Sequence, residues 1–344
     1  VDPVSQAVVG AVAVQAAFTR SLGARAALYG AVGGVLADAD VLIRSAGDPL
    51  LTVEMHRHFT HSLAFVPLGG VLAALPFLAL RSERARWRSV VAACTLGYAT
   101  HAPLDVLTSY GTLWLWPFSR ERLELDWMSI VDPLFTLPLL VLAVLAALRA
   151  SRRIALAAAA SGLLYIALGG VLHQRAATVA RSLAATRGHA VAQARVMPTL
   201  GNLLVWRSVY VADGAIHADA IRVAPWASAA VLGGDSIALV DAPPLPDDVP
   251  PALRARRARD FGRFAWFADG FVARDPADPT VLGDMRYSLS TEGFEPLWGV
   301  RFHADGRAVP VEWVSMTSRR GGDSLAELWQ LITGRAPRLH VWLL

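Results

Sequence analysis

His56-Arg57-His58-Phe59-Thr60-His61-Ser62, followed at once by the apolar run that opens at Leu63, decides how the rest of the chain is read. Three imidazoles stand within six residues of a chain that has nine histidines in all. Imidazole is the commonest protein metal ligand and the only side chain that titrates near neutrality unperturbed. Taken alone, the stretch reads equally well as a solvated loop at the edge of an apolar segment. Its surroundings favour chemistry. Asp38 and Asp40 precede it, and His101, Asp105, Asp126 and Asp132 follow, each at or near the end of a hydrophobic segment.

Composition places those segments in a membrane. The 344 residues are 54% hydrophobic with a mean hydropathy of +0.42, above the range of ordinary soluble proteins. Nearly all the excess lies in residues 1–173, so the expected organisation is a helical membrane domain over 1–173 and a water-facing α+β domain over 174–344. All 32 basic residues are Arg, a bias that together with the abundance of Ala points to coding preference. The pI of 9.7 therefore does not imply a nucleic-acid partner, and none is expected. Cys94, the sole cysteine, excludes an intrachain disulfide and a thiolate cluster, so any metal must be held by His and carboxylate. Val1-Asp2-Pro3 lacks the basic region of a cleaved signal peptide, so the first apolar run is expected to be retained structure.

Six apolar segments are read, at 4–19, 26–41, 63–80, 89–107, 133–148 and 154–172. At about 1.5 Å per residue each makes roughly 24 to 29 Å of helix, the short end of a membrane span. Arg20 and Arg25, then Arg81, Arg84, Arg86 and Arg88, then Arg149, Arg152 and Arg153 fill three short connections, which the positive-inside rule assigns to the cytoplasm. Connections 42–62 and 108–132 then face outward, as do both ends of the chain. This orientation gathers the acids and imidazoles at one membrane face. In the second half, Gln174 to Ala194 reads as an amphipathic helix and Leu203 to Val223 as strands. A Pro-rich turn spans Asp241 to Pro251, and helices are expected at Ala252 to Phe264 and Ser324 to Thr333.

His101 and Asp105 are four residues apart, so on a helix they lie about 40° apart on one face, where they can share a metal. Ionisable residues in apolar segments are costly and default to function. Pro103 between them requires a kink or a first-turn position. Asp38 and Asp40 reach one site only if their helix ends there. His56 and His61 converge only if the chain bends between them, whereas His58 and His61 can share a helical face, and spacing does not choose the pair. Asp132 before Pro133 fits an N-cap as well as a ligand. His173, His189, His217, His303 and His340 form no comparable cluster. Nitrogen and oxygen ligands suit zinc, manganese, nickel or iron, and such a site can activate water against an ester or phosphoester.

Asp2-Pro3, Asp38-Ala39-Asp40, His56 to Ser62, His101-Ala102-Pro103-Leu104-Asp105 through Gly111, Trp116-Pro117-Phe118-Ser119 and Asp126-Trp127 through Asp132-Pro133 together resemble the YdjM-type family of bacterial inner-membrane proteins, described as membrane-bound metal-dependent hydrolases. The resemblance covers most of residues 1–150. The family is in turn similar to zinc-dependent phospholipases C and zinc nucleases. It implies Asp38 or Asp40, His56, His61, His101 and Asp105 as ligands of a divalent metal, zinc before manganese, with Asp132 a weaker candidate. One departure stands out: Gln6 occupies the opening stretch where family members usually carry His.

The reading that follows is a multi-pass inner-membrane hydrolase of a lipid or small-molecule ester or phosphoester. Asp40 or Asp132 would ligate or orient the water, and the C-terminal domain, outside the cytoplasm, would cover or select substrate. The rivals are a metal-ion transporter or sensor, which calls for polar residues continuing through the spans, and a membrane scaffold with a structural metal.

Overall fold

The computed structural model describes residues 1–243, 250–302, 311–319 and 322–342. The chain divides into two compact units, one of Val1–Ile43, Met55–Val171 and Leu200–Leu203, the other of Arg44–Glu54, Leu172–Thr199 and Leu204–Leu344.

The first unit is helical. Asp2 accepts from the Val4 and Ser5 amides with Pro3 at the first helical position, which starts α1 (Pro3–Leu22). α2 (Arg25–Leu36) lies against α1 across glycines. A Cβ on Gly30 would meet the Gly10 carbonyl, and one on Gly34 the Gln6 carbonyl. Only glycine permits backbones to approach that closely. α2 passes without a side-chain cap into a 3-10 turn, Ala37–Leu42, that carries Asp38 and Asp40. After α3 (Leu51–Met55), two further 3-10 turns, Phe59–His61 and Leu63–Phe65, lead into α4 (Val66–Leu78). α5 (Arg81–Arg84), α6 (Trp87–Ala99) and α7 (His101–Val106) follow, and then α8 (Pro133–Leu148) and α9 (Arg152–Thr186).

Each of the six apolar segments therefore contains helix, but the lengths are uneven. α9 is long and apolar enough to cross a membrane. The bent pair Leu51–His61 and Leu63–Leu78, angled by 62°, makes a second if counted as one broken span. Residues 154–172 and the expected helix 174–194 are one continuous element to Thr186, because no Gly or Pro interrupts His173-Gln174-Arg175. Gln193 and Ala194 instead open a strand.

The second unit carries two antiparallel sheets. β1 (Gln193–Pro198), β2 (Val205–Ala212), β3 (Ala215–Ala224) and β4 (Ala227–Ala238) form a meander. Asp213-Gly214, both at positive φ, turn β2 into β3 as a two-residue hairpin loop should. α10 (Pro251–Phe267) precedes the smaller sheet of β5 (Val272–Asp275), β6 (Asp278–Asp284), β7 (Trp298–Arg301) and β8 (Glu312–Ser315). α11 (Gly322–Thr333) leads to β9 (His340–Trp342), which pairs with β4. Arg263 forks onto Asp48 and Glu54, tying 44–54 into this unit. His303 and residues 244–249 of the Pro-rich turn lie outside the described residues.

Candidate metal centre

α6 stops at Ala99 and α7 restarts at His101, which puts Pro103 in a first turn where its missing N–H costs nothing. His101 and Asp105 then share the face that four-residue spacing requires, with His101 Nε2 3.3 Å from Asp105 Oδ2. His101 Nδ1 lies 2.5 Å from the Gly34 carbonyl oxygen. A carbonyl only accepts, so Nδ1 carries the proton and Nε2 presents its lone pair to the site.

The stretch at 56–61 arrives by a bend. Arg57 has φ 61°, and the following 3-10 turn brings His61 inward at 1% exposure. Its Nδ1 stands 3.2 Å from Asp40 Oδ2 and 3.0 Å from Thr60 Oγ1, and since the Thr60 hydroxyl spends its proton on Asp40, Nδ1 carries its own proton, facing the Thr60 oxygen and the carboxylate. His61 Nε2 therefore also points its lone pair inward, 2.9 Å from His101 Nε2.

Two carboxylates close the constellation. Asp38 Oδ1 is 3.5 Å from His61 Nε2 and 3.3 Å from His101 Nε2, and Asp105 Oδ2 is 3.2 and 3.3 Å from the same atoms. One ligand atom from each of Asp38, His61, His101 and Asp105 lies within 4.8 Å of every other. Ligands about 2.0–2.2 Å from a tetrahedral ion stand roughly 3.3–3.6 Å apart, close to these separations. Two imine lone pairs and two carboxylate oxygens facing one another demand a positive charge between them, either protons or a cation. The metal-free protein keeps the proton: burial alone lowers the His61 imidazole, but its contacts with Asp105, Asp38 and Asp40 outweigh burial and hold it at about 10.

The surrounding shell fixes this geometry. Asp105 Oδ1 receives Gln6 Nε2 at 3.0 Å and lies 3.1 Å from Arg57 Nη2, which leaves Oδ2 for the centre. Gln6 is fully buried and also reaches the His101 carbonyl at 3.3 Å. Gln6 thus puts an amide donor on the Asp105 carboxylate. Arg57 stacks on Tyr110 and donates to Thr108 Oγ1, so a permanent cation is built against the acidic ligands. Arg57 was not singled out by sequence reasoning; its one signal was a cation between the histidines of the motif.

The remaining candidates have other placements. Asp40 accepts from the Arg57 amide, Thr60 and His61 on Oδ2 and contacts His56 Nδ1 at 2.8 Å on Oδ1. His56, Asp40 and Asp38 form a second group with ligand atoms within 4.8 Å, adjoining the first through Asp38. His58 turns away onto Trp116, with ring centroids 5.6 Å apart. Asp132 caps α8, accepting from the Leu134 and Phe135 amides on Oδ1 and from the Tyr165 hydroxyl on Oδ2. It belongs to neither group of potential ligands, and burial raises its carboxyl against those three hydrogen bonds. Of the later histidines, His189 and His217 meet with ring centroids 4.4 Å apart beside Tyr210.

Residues 1–176 match the family model described as YdjM inner membrane protein. The chain is also similar to the inner membrane protein YbcI of Escherichia coli (strain K12), 35% identical over 107 residues, which is 29% of this chain and 58% of that protein. The chain therefore spans somewhat more than half the length of this relative. No solved structure matches.

Proposed function

The chain belongs to the YdjM inner membrane protein family, and from that premise we propose that it is a membrane-bound, metal-dependent hydrolase of an ester or phosphoester. What supports the reading is the mutual approach of four inward-facing lone-pair donors, His61 Nε2, His101 Nε2, Asp38 Oδ1 and Asp105 Oδ2, at the end of apolar helices. An N2O2 donor set of this kind suits zinc first and manganese or another transition metal next. When bound, such an ion supplies Lewis acidity and a coordinated water of lowered pKa.

The protein's own groups do the rest. The Gly34 carbonyl and Asp40 hold the two imidazoles in the tautomer that binds metal, the outer-shell arrangement that raises ligand basicity. Gln6 and Arg57 pin Asp105 by its other oxygen. Arg57 adds positive charge that favours an anionic substrate such as a phosphoester. His56, part-buried on Asp40, joins Asp40 and Asp38 in the second group and would hold a further ion there. The six apolar segments cross the inner membrane in this reading, with the arginine-rich connections in the cytoplasm. Membrane lipid then becomes a candidate substrate.

The test compares wild type with Asp105→Asn and His101→Ala in detergent, assaying phosphodiester and phospholipid hydrolysis after zinc or manganese loading. Both variants should fall to background while eluting as wild type in gel filtration. Turnover retained in either would remove the assignment.

A further inference from the structure

The second unit carries an exposed feature that the metal centre does not use. Pro225-Trp226 forms the tip between β3 and β4, and Trp226 is 85% exposed. Arg175, on α9, donates from its two terminal nitrogens to the carbonyls of Ala224 and Ala227, so the tip is clamped from both sides to one turn of that helix. Arg175 has no carboxylate within ion-pair distance among the described residues, which leaves its charge uncompensated by protein. Beside it lies a groove of about 450 Å³ lined by Arg175, Thr178, Ser228 and Trp342.

The position of that turn along α9 identifies the surroundings. Ile154 to Leu172 is an uncharged run of 19 residues, with Leu163, Leu164 and Val171 between 60% and 73% exposed. Nineteen residues make roughly 28 Å of helix, the thickness of a bilayer's hydrocarbon core. Arg175 stands three residues past the end of the run, less than one turn beyond it. At that depth lie the phospholipid headgroups, where Trp and Arg are the favoured side chains: Trp for its apolar body with a polar edge, Arg for a cation that meets phosphate.

We propose that the β3–β4 tip seats in the phospholipid headgroup layer at the point where α9 leaves the bilayer, with Trp226 inserted at the interface and Arg175 beside the lipid phosphates. This inference rests on α9 crossing the membrane. It makes the tip an anchor that holds the sheet unit against the lipid surface.

Nitroxide labels placed one at a time by Trp226→Cys, Ser236→Cys and Leu163→Cys test it on the full chain in vesicles of phosphatidylethanolamine and phosphatidylglycerol. Cys94 is fully buried and stays in place. Ser236 is exposed ten residues further along β4, roughly 30 Å away at about 3.3 Å per residue, and serves as the aqueous reference. Collisions with oxygen and with a water-soluble nickel chelate report depth. The expected result is a several-fold lower nickel accessibility at 226 than at 236, with oxygen accessibility retained, and a fully lipidic signal at 163. A label at 226 as open to nickel as that at 236, with 163 in lipid, overturns the anchor and leaves the span standing. Protection at 226 from both quenchers means a protein partner covers the tip and also overturns it. Nickel access at 163 removes the span and the anchor together.

Discussion

His61 shows how one side chain is prepared to hold a metal. Its Nδ1 is committed to Asp40, so the only lone pair it can offer is on Nε2, aimed at His101 and two carboxylates. Replacing Asp40 with Asn keeps the shape and removes the charge behind the imidazole. Losses of 10- to 100-fold in metal affinity follow from outer-shell changes of this kind, and calorimetric titration of Asp40→Asn should find one in that range. The same carboxylates hold the His61 proton to about 10 in the metal-free protein, above the ordinary 6.5. A raised folded pKa contributes stability that is complete below about pH 6.5 and is lost as pH climbs towards 10. The metal-free Tm should therefore decline between pH 7 and 10, and saturating zinc should flatten the decline because the ion replaces the proton. A metal-free Tm that is level across that window would contradict the coupling.

At the scale of elements, the site depends on where helices end. The face shared by His101 and Asp105 was legible from their spacing, and so was the requirement that a helix end at Asp38 and Asp40, which the turn Ala37–Leu42 meets. Whether His56 or His58 would accompany His61 was not. It turns on Arg57 adopting a positive φ, which side-chain type does not announce. Nor could spacing show that Asp40 would serve behind His61 while Asp38 faces the centre, because that division is set by Thr60, His56 and the Arg57 amide arriving from another part of the chain. Asp132 was open between cap and ligand, and the structure places it as the cap of α8, bonded to Tyr165. Asp132→Ala should cost about 1 kcal/mol from the cap, with more from the stranded Tyr165 hydroxyl, measured as a lower unfolding midpoint. Metal content should not change; a loss of metal in folded Asp132→Ala would return that residue to the ligand set.

For the whole molecule, composition set the expected change of character near residue 173, where the apolar runs cease; the helix that carries the last of them continues to Thr186, and the first strand opens at Gln193. Composition did not reveal that 44–54 clusters with the sheets through Arg263, a contact between residues more than 200 positions apart. It also did not reveal that α9 runs unbroken from the apolar run to Thr186. If Asp38, His61, His101 and Asp105 hold a metal, the purified protein will contain it. Detergent-purified wild type should carry stoichiometric zinc or another divalent transition metal, and a His61→Ala, His101→Ala double variant should lose it while remaining folded. Well-folded wild type that takes up no metal, even after zinc or manganese is added, would mean that these four side chains are not a metal site.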